Sequence, residues 1–302
     1  MSLLVVGSVA FDSVKTPFGQ VEGVLGGSAT YFSLAASYFT DVNLVAVVGE
    51  DFTDEHMRIF DNRQIDLRGL QRCPGKTFRW RGEYGFDLNE AHTLETQLNV
   101  LSSFRPELPA DYRQCEYLFL ANIDPDIQRE VMAQVEKPKL IACDTMDFWI
   151  KSKPESLKKT LASVDLLVVN EGEARELGQE ANLVKAANKI LSWGPTSLII
   201  KRGEYGALLF GNSSIFSAPA YPLEFIYDPT GAGDSFAGGV MGYLSSTQNL
   251  SDAGIRQAII FGSVMASYNV EAFSLERLRG LSYKDIETRF REFKRLTHFD
   301  EI

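Results

Sequence analysis

The 302-residue chain carries 30 Lys and Arg against 40 Asp and Glu, a formal net charge of −10, with 45% hydrophobic residues. That size and balance fit a soluble globular protein with one large α/β domain or two smaller ones, a single domain over 1–302 being the expectation, and the acidic excess argues against nucleic acid or an anionic membrane as a main partner. The apolar runs are strand-sized rather than membrane-spanning, no basic cluster precedes the first of them, and Cys73, Cys115 and Cys143 are too scattered for a disulfide framework or a zinc site, all of which fits a cytoplasmic protein.

Residues 3–9 read as a buried strand, and Val5-Val6-Gly7-Ser8-Val9-Ala10-Phe11-Asp12 places an acid just past its end. Gly26-Gly27 then opens a helix of small residues over 29–39, with Tyr31 in its first turn. A strand at 43–48 and a helix at 54–64 follow. Gly75-Lys76-Thr77 resembles the end of a phosphate loop, but the preceding glycine, Gly69, is one residue too far away, so we read it as a turn entering a strand. From Phe78 to Leu88 large apolar residues occupy even positions, except Gly82, and charges fill most odd ones. That period of two predicts a strand with one aromatic face, either an edge strand on the main core or part of a small β lid.

Beyond this point apolar strand-like runs alternate with helical stretches. Strands are expected at 117–121, 139–143, 166–170, 197–201 and 207–210, and helices at 125–135, 173–177, 183–193, 236–244 and 252–268. Such alternation predicts a mostly parallel central sheet flanked by helices on both faces, with ligands beyond the carboxyl ends of the strands. Several polar residues fall at those ends. Asp124 follows the 117–121 strand; it either faces a ligand or caps the helix that begins with Pro125, and capping is the better reading. Asp144 is similarly ambiguous. Asn170-Glu171-Gly172-Glu173 suits a capping box and a cation site equally well. Lys201-Arg202-Gly203 is either a charged turn or a ligand loop. Lys151 to Lys159 reads as a solvated loop and helix start. Ile286, Phe290, Phe293 and Leu296 form one stripe of a surface helix, with Arg289 off it.

The most informative segment is Asp228-Pro229-Thr230-Gly231-Ala232-Gly233-Asp234, between a strand-like end at 223–227 and the 236–244 helix. Glycines beside a helix start leave backbone N–H groups free to bind an anion, aided by the positive end of the helix dipole. Asp234 at the same terminus adds a carboxylate. An isolated segment of this kind would more often be a tight turn with a capping acid. A dinucleotide fingerprint requires glycine where Phe236 stands, and a Walker loop requires a lysine that the segment lacks, which disfavours a dinucleotide-dependent oxidoreductase. Gly238, Gly239 and Gly242 in the helix imply that another backbone or a ligand comes close.

Asp-Pro-Thr-Gly-Ala-Gly-Asp followed by a small-residue helix resembles the second signature of the ribokinase-like (pfkB) carbohydrate kinases, and other family landmarks occur in order along nearly the whole chain. The resemblance implies an ATP-dependent kinase for a hydroxyl of a sugar, sugar phosphate or nucleoside, using Mg²⁺. By that resemblance Asp234 is the general base and Gly231, Ala232 and Gly233 supply anion-hole N–H groups. Asp12, Gly26 and Gly27 meet the acceptor, with Tyr31 and Asp124 as further candidates. Asn170 and Glu173 organise Mg²⁺ and phosphate, with Glu173 acting through water. Lys201 and Gly203 lie beside the nucleotide, and Ser263 lines the adenine pocket. The family often uses a monovalent cation such as K⁺ near the first acid of the motif, here Asp228. A lid built from 12–25 and 77–100 is also implied; its aromatic face needs a cover, either bound substrate or a second subunit, so a homodimer through the lid is one expectation. One departure stands out: many members have Asn four residues after the second glycine, and this chain has Tyr31, so acceptor contacts need not follow the ribose pattern. A non-catalytic sugar or nucleotide sensor on the same fold is the alternative, and retention of Asp234 and both motif glycines argues against it.

Overall fold

A computed structural model describes residues 2–211, 214–298 and 300. Thirteen strands are described, in two sheets. The larger has nine: β1 (Ser2–Val6), β4 (Asp41–Val48), β5 (Ile65–Arg72), β8 (Tyr117–Leu120), β9 (Leu140–Asp144), β10 (Leu166–Asn170), β11 (Ser197–Lys201), β12 (Ala207–Phe210) and β13 (Ile215–Ala218). Their order is β13-β12-β11-β10-β9-β8-β1-β4-β5, parallel from β11 to β5 and antiparallel across β12 and β13. The smaller sheet pairs β2 (Ala10–Thr16), β3 (Gly19–Gly26), β6 (Phe78–Tyr84) and β7 (Ala91–Gln97) in the order β3-β2-β6-β7.

Strands buried on both faces explain the continuous apolar runs. In β1, Leu3 and Val5 join one core layer while Leu4 and Val6 join the other. The first layer is covered by the helices Ser28–Ala36, Ala232–Thr247, Asp252–Asn269 and Tyr283–Thr297, the second by Pro125–Met132, Pro154–Leu161, Glu171–Gly178 and Leu183–Leu191. Among the described residues no helix is long and apolar enough to cross a membrane.

Several boundaries differ from the sequence reading. Strand β5 was not expected; its mixed, half-buried pattern gives little periodic signal at the sheet edge. The expected 54–64 helix shrinks to Asp54–Met57 and a short 3₁₀ turn, Arg58–Phe60, and the chain then turns through Asn62 at a positive φ of 58°. In the 151–159 segment the expected helix start is in place at Pro154, but the loop shrinks to Lys153, because Lys151 and Ser152 end a preceding helix, Asp147–Ser152. Residues 223–227 form no strand; the chain is held there by Tyr227, whose N–H donates to the Val270 carbonyl at 2.8 Å and whose carbonyl accepts from the Thr16 hydroxyl at 2.9 Å. The aromatic strand stops at Tyr84, so Phe86, 94% exposed, belongs to a turn. Arg289 is not a solvated charge: its guanidinium lies 3.5 Å from the Tyr268 ring centroid and pairs with Glu271 at 2.7 Å.

The small sheet covers the carboxyl edge of the large one. The Tyr84 hydroxyl accepts from Thr230 at 3.3 Å, the Leu25 carbonyl accepts from Ser274 at 2.6 Å, and the Glu204 N–H donates to Asn89 at 3.3 Å. These three ties come from different points of the small sheet and its turn, and they hold it above the ends of the parallel strands.

Candidate active site

The 228–234 turn is shaped by Asp228 and Gly231. Asp228 is buried, and its carboxylate accepts the N–H groups of Thr230 at 2.9 Å and Ser274 at 3.2 Å. Each carboxylate oxygen thus accepts one hydrogen bond that shapes the turn. Gly231 has φ of 75°, in the left-handed region, and a Cβ there would lie 2.4 Å from the Tyr31 ring. Only glycine meets both demands.

The Ala232–Thr247 helix begins immediately after it. Its first full bond runs from the Ser235 N–H to the Gly231 carbonyl at 2.8 Å. Ala232 departs from expectation: its N–H closes a turn onto the Pro229 carbonyl at 3.1 Å, so it is not a free donor. The N–H groups of Gly231, Gly233 and Asp234 make no hydrogen bond among the described residues. Helix starts leave such donors open for an anion. Gly238, Gly239 and Gly242 keep this helix close to two neighbours: a Cβ on Gly238 would sit 2.4 Å from the Phe32 carbonyl, and one on Gly239 2.8 Å from that of Phe261. Helix packing therefore accounts for them.

Asp234 is enclosed by protein yet keeps contact with solvent. Burial and the neighbouring Asp144 carboxylate push its carboxyl up to about 7, against the pull of Lys201. Lys201, at the end of β11, pairs with Asp144 at the end of β9 at 3.5 Å, and its Nζ lies 2.8 Å from where a Gly233 Cβ would be. It thus sits against Gly233, beside the helix start. Burial lowers the Lys201 ammonium, but the charges of Asp144, Glu173 and Asp234 outweigh that and hold it raised. Asp144 was ambiguous in the sequence; its place is visible only when β9 and β11 lie in one sheet.

Asn170 and Glu173 form the capping box: the Glu173 N–H donates to Asn170 Oδ1 at 2.7 Å, and the Asn170 N–H to Glu173 Oε2 at 2.8 Å. The same Glu173 is buried against Asp144 and Lys201, and burial, then Asp144, push it to about 8. The capping and cation-site readings of the sequence are thus compatible. Among the described residues no three His, Cys, Asp or Glu side chains converge closely enough to cage a metal, so an ion here depends on other oxygen donors, as Mg²⁺ does when it keeps waters and phosphates.

Asp12 lies across the site. Burial, opposed by a hydrogen bond from the Gly27 N–H at 3.3 Å and assisted by the charges of Asp228 and Asp234, lifts its carboxyl to about 7. Gly27 has φ of 93°, and a Cβ on it would strike the Ser8 carbonyl at 2.5 Å; one on Gly26 would lie 1.8 Å from Asp12 Oδ2. Gly26 therefore makes room for Asp12, and Gly27 for the Ser8–Ala10 backbone. Gly26→Ala is expected to displace that carboxylate and raise the KM for the acceptor by about 100-fold, the order expected for a misplaced site group, while steady-state kinetics show the KM for the nucleotide unchanged.

Tyr31 is 1% exposed, and burial followed by Asp12, Asp228 and Asp234 raises its phenol well above its ordinary value, so it stays protonated. Tyr84 from β6 enters the same group, raised by burial and the same three acids. Asp124 does not: one oxygen caps the Pro125–Met132 helix by accepting the Asp126 N–H at 3.0 Å, and the other pairs with Lys153 at 2.6 Å. It is a cap rather than a ligand. Gly203, at φ of 54°, is covered by the Asn89 side chain. Ser263 is buried in the Asp252–Asn269 helix, next to Gly262, which packs on Phe236.

Residues 2–277 match the pfkB family of carbohydrate kinases. The chain belongs to that family. It is therefore a phosphotransferase with an alcohol group as acceptor, a sugar or nucleoside kinase. It is 28% identical over 261 residues to a cytidine kinase of Thermococcus kodakarensis, covering 83% of this chain and 91% of that one. A nucleoside kinase from Burkholderia thailandensis, solved with inosine, superposes with a TM-score of 0.78 at 18% identity over 97% of both chains. A ribokinase II from E. coli, solved with ATP and Mg²⁺, gives 0.75 at 18% identity over 96% of this kinase and 99% of that chain. At that identity the two structures establish the fold.

Proposed function

We propose that this kinase transfers the γ-phosphoryl group of ATP to a hydroxyl of an uncharged sugar or nucleoside. The observation that carries the reading is the convergence, at one helix start, of open N–H groups, the Asp234 carboxylate and a buried lysine, with Asp12 facing them. The N–H groups of Gly231, Gly233 and Asp234 stabilise charge on the moving phosphoryl group. Asp234 takes the proton of the attacking hydroxyl. Asp12 accepts hydrogen bonds from other acceptor hydroxyls, and the protonated Tyr31 phenol borders the same space. Lys201 sets positive charge under the phosphates, with the adenine end toward Gly203 and Ser263. Glu173, beside Asp144, offers hard oxygen suited to Mg²⁺ held through water; when bound, that ion offsets phosphate charge. The small sheet acts as a lid through Tyr84 and Asn89 and excludes water from the transfer.

The charge pattern favours an uncharged acceptor. The largest influences on Asp12, Tyr31 and Tyr84 are burial, hydrogen bonds and neighbouring carboxylates, with no cation among them. Arg79, on β6 nearby, is engaged by Asp51 at 2.8 Å and stacks on Phe11. A phosphate at this end would be desolvated among acids without a partner. The test is substrate-dependent ADP release with matched acceptors that leave the terminal primary hydroxyl free: ribose against ribose 1-phosphate, fructose against fructose 1-phosphate, and cytidine and inosine alone. Turnover of an uncharged compound with its phosphate rejected by at least about 100-fold is expected, a discrimination of the size that unpaired buried polar groups impose. Preference for a phosphorylated member would overturn the acceptor class, and ATP binding without turnover of any member would point to a sensor.

A further inference from the structure

Asn269 is the last residue of the Asp252–Asn269 helix and is 1% exposed. Its side chain spans both sides of the Gly231 turn. Nδ2 donates to the Thr230 carbonyl at 2.7 Å, and Oδ1 accepts from the Ser235 hydroxyl at 3.1 Å. These partners sit on either side of the open N–H groups. In a helix extended by one residue, the Thr230 carbonyl would accept the Asp234 N–H through the ordinary four-residue bond. The amide of Asn269 holds that carbonyl instead. The Pro229 carbonyl, which would take the Gly233 N–H, is occupied in turn by Ala232. With Gly231 at φ of 75° breaking the helical geometry, the helix starts at Ala232, and with both carbonyls already engaged the N–H groups of Gly233 and Asp234 stay open, close to Lys201.

We infer that Asn269 is a positioning residue for phosphoryl transfer: by holding the Thr230 carbonyl it works with Gly231 to fix where the motif helix begins and so keeps the anion-hole donors free. The role rests on the kinase reading above, and Asn269 acts from a different helix without touching substrate. A buried amide suits the task because it supplies one donor and one acceptor in a single plane, matching a carbonyl on one side and a hydroxyl on the other. A carboxylate lacks the donor, and an alanine lacks both. Ser235→Ala removes only the hydroxyl half of the clamp and leaves the Thr230 bond in place.

The experiment uses the full chain and measures the affinities of ADP and of a non-hydrolysable ATP analogue, each with Mg²⁺, for the natural protein, Asn269→Ala and Ser235→Ala. The ratio of the two affinities reads the γ-phosphate contact and needs no identified acceptor. Asn269→Ala is expected to lose about tenfold in the analogue's affinity, the loss that about 1.4 kcal/mol represents, with ADP affinity unchanged. Ser235→Ala should lose less than about threefold, consistent with loss of one neutral hydrogen bond at the low end of its net worth. Hydrogen exchange at the Asp234 amide should slow in Asn269→Ala, because the freed carbonyl captures it. Equal weakening of both nucleotides, or an unchanged ratio and exchange rate, would overturn the positioning role and leave the kinase reading intact. A natural protein that binds neither nucleotide would remove the kinase reading and this role with it. Asn269→Ser serves as a second variant should the alanine protein fail to fold.

Discussion

Asp234→Asn is expected to bind ATP with near-natural affinity and to lose turnover by about 10³-fold, the contribution of a positioned general base. The amide keeps the shape of the carboxylate and its helix-start position but cannot accept the hydroxyl proton. ADP release and titration with an ATP analogue check the two halves, and turnover within about tenfold of the natural enzyme rules out the assigned base. The carboxyl of Asp234 stands near 7 against an ordinary 3.8. Catalysis needs it deprotonated, so kcat/KM should rise with pH through about 7 in the natural enzyme. Stability moves in the opposite sense. A carboxyl raised by folding keeps its proton in the folded state while the unfolded chain releases it, so the folded state loses stability as pH rises from about 4 to about 7. Asp234→Asn removes that penalty and should be more stable than the natural protein at pH 8, on the order of 2 kcal/mol, with no difference near pH 4. Denaturant melts at the two pH values check this, and a variant less stable at the higher value contradicts the burial assigned to Asp234.

Lys201→Met is expected to cost about 3 kcal/mol of stability at pH 8, as removal of one member of a buried ion pair does. Asp144 and Lys201 have side chains only 6% and 17% exposed, and Glu173 lies in the same cluster. Methionine fills much of the lysine volume, so the loss reads as charge rather than cavity. Without the ammonium, Asp144 and Glu173 answer by taking up protons; the deficit should therefore shrink toward pH 5, where their uptake costs little. Turnover should fall as well, because the positive charge beside Gly233 is gone. Urea unfolding across that pH range separates this from simple loss of packing, which would give a deficit independent of pH.

The two expected strand ends that carry Asn170 and Lys201 are in place, and register puts those residues side by side on β10 and β11. The helix-start motif was legible for a related reason: its turn is local, and Pro229, Gly231 and Asp234 act within a few bonds of one another. Less local features were read less well. Ala232 looked like a donor because residue order does not reveal that its N–H bends back to Pro229. Asp124 and Asp144 stand at comparable strand ends, yet one is consumed by a helix cap and Lys153 while the other meets Lys201. Nothing near Asn269 marks it, since its partners lie 39 and 34 positions away in the chain.

By itself, then, the order of residues determined the α/β alternation, the glycine turn at the helix start and the family, because periodicity, glycine conformations and helix starts are properties of adjacent residues. Only the tertiary structure decided which carboxylates share a field and which amides remain open. Those are matters of distance through space, where burial strengthens every charge and where a partner's identity depends on strands and helices that the chain brings together from far apart.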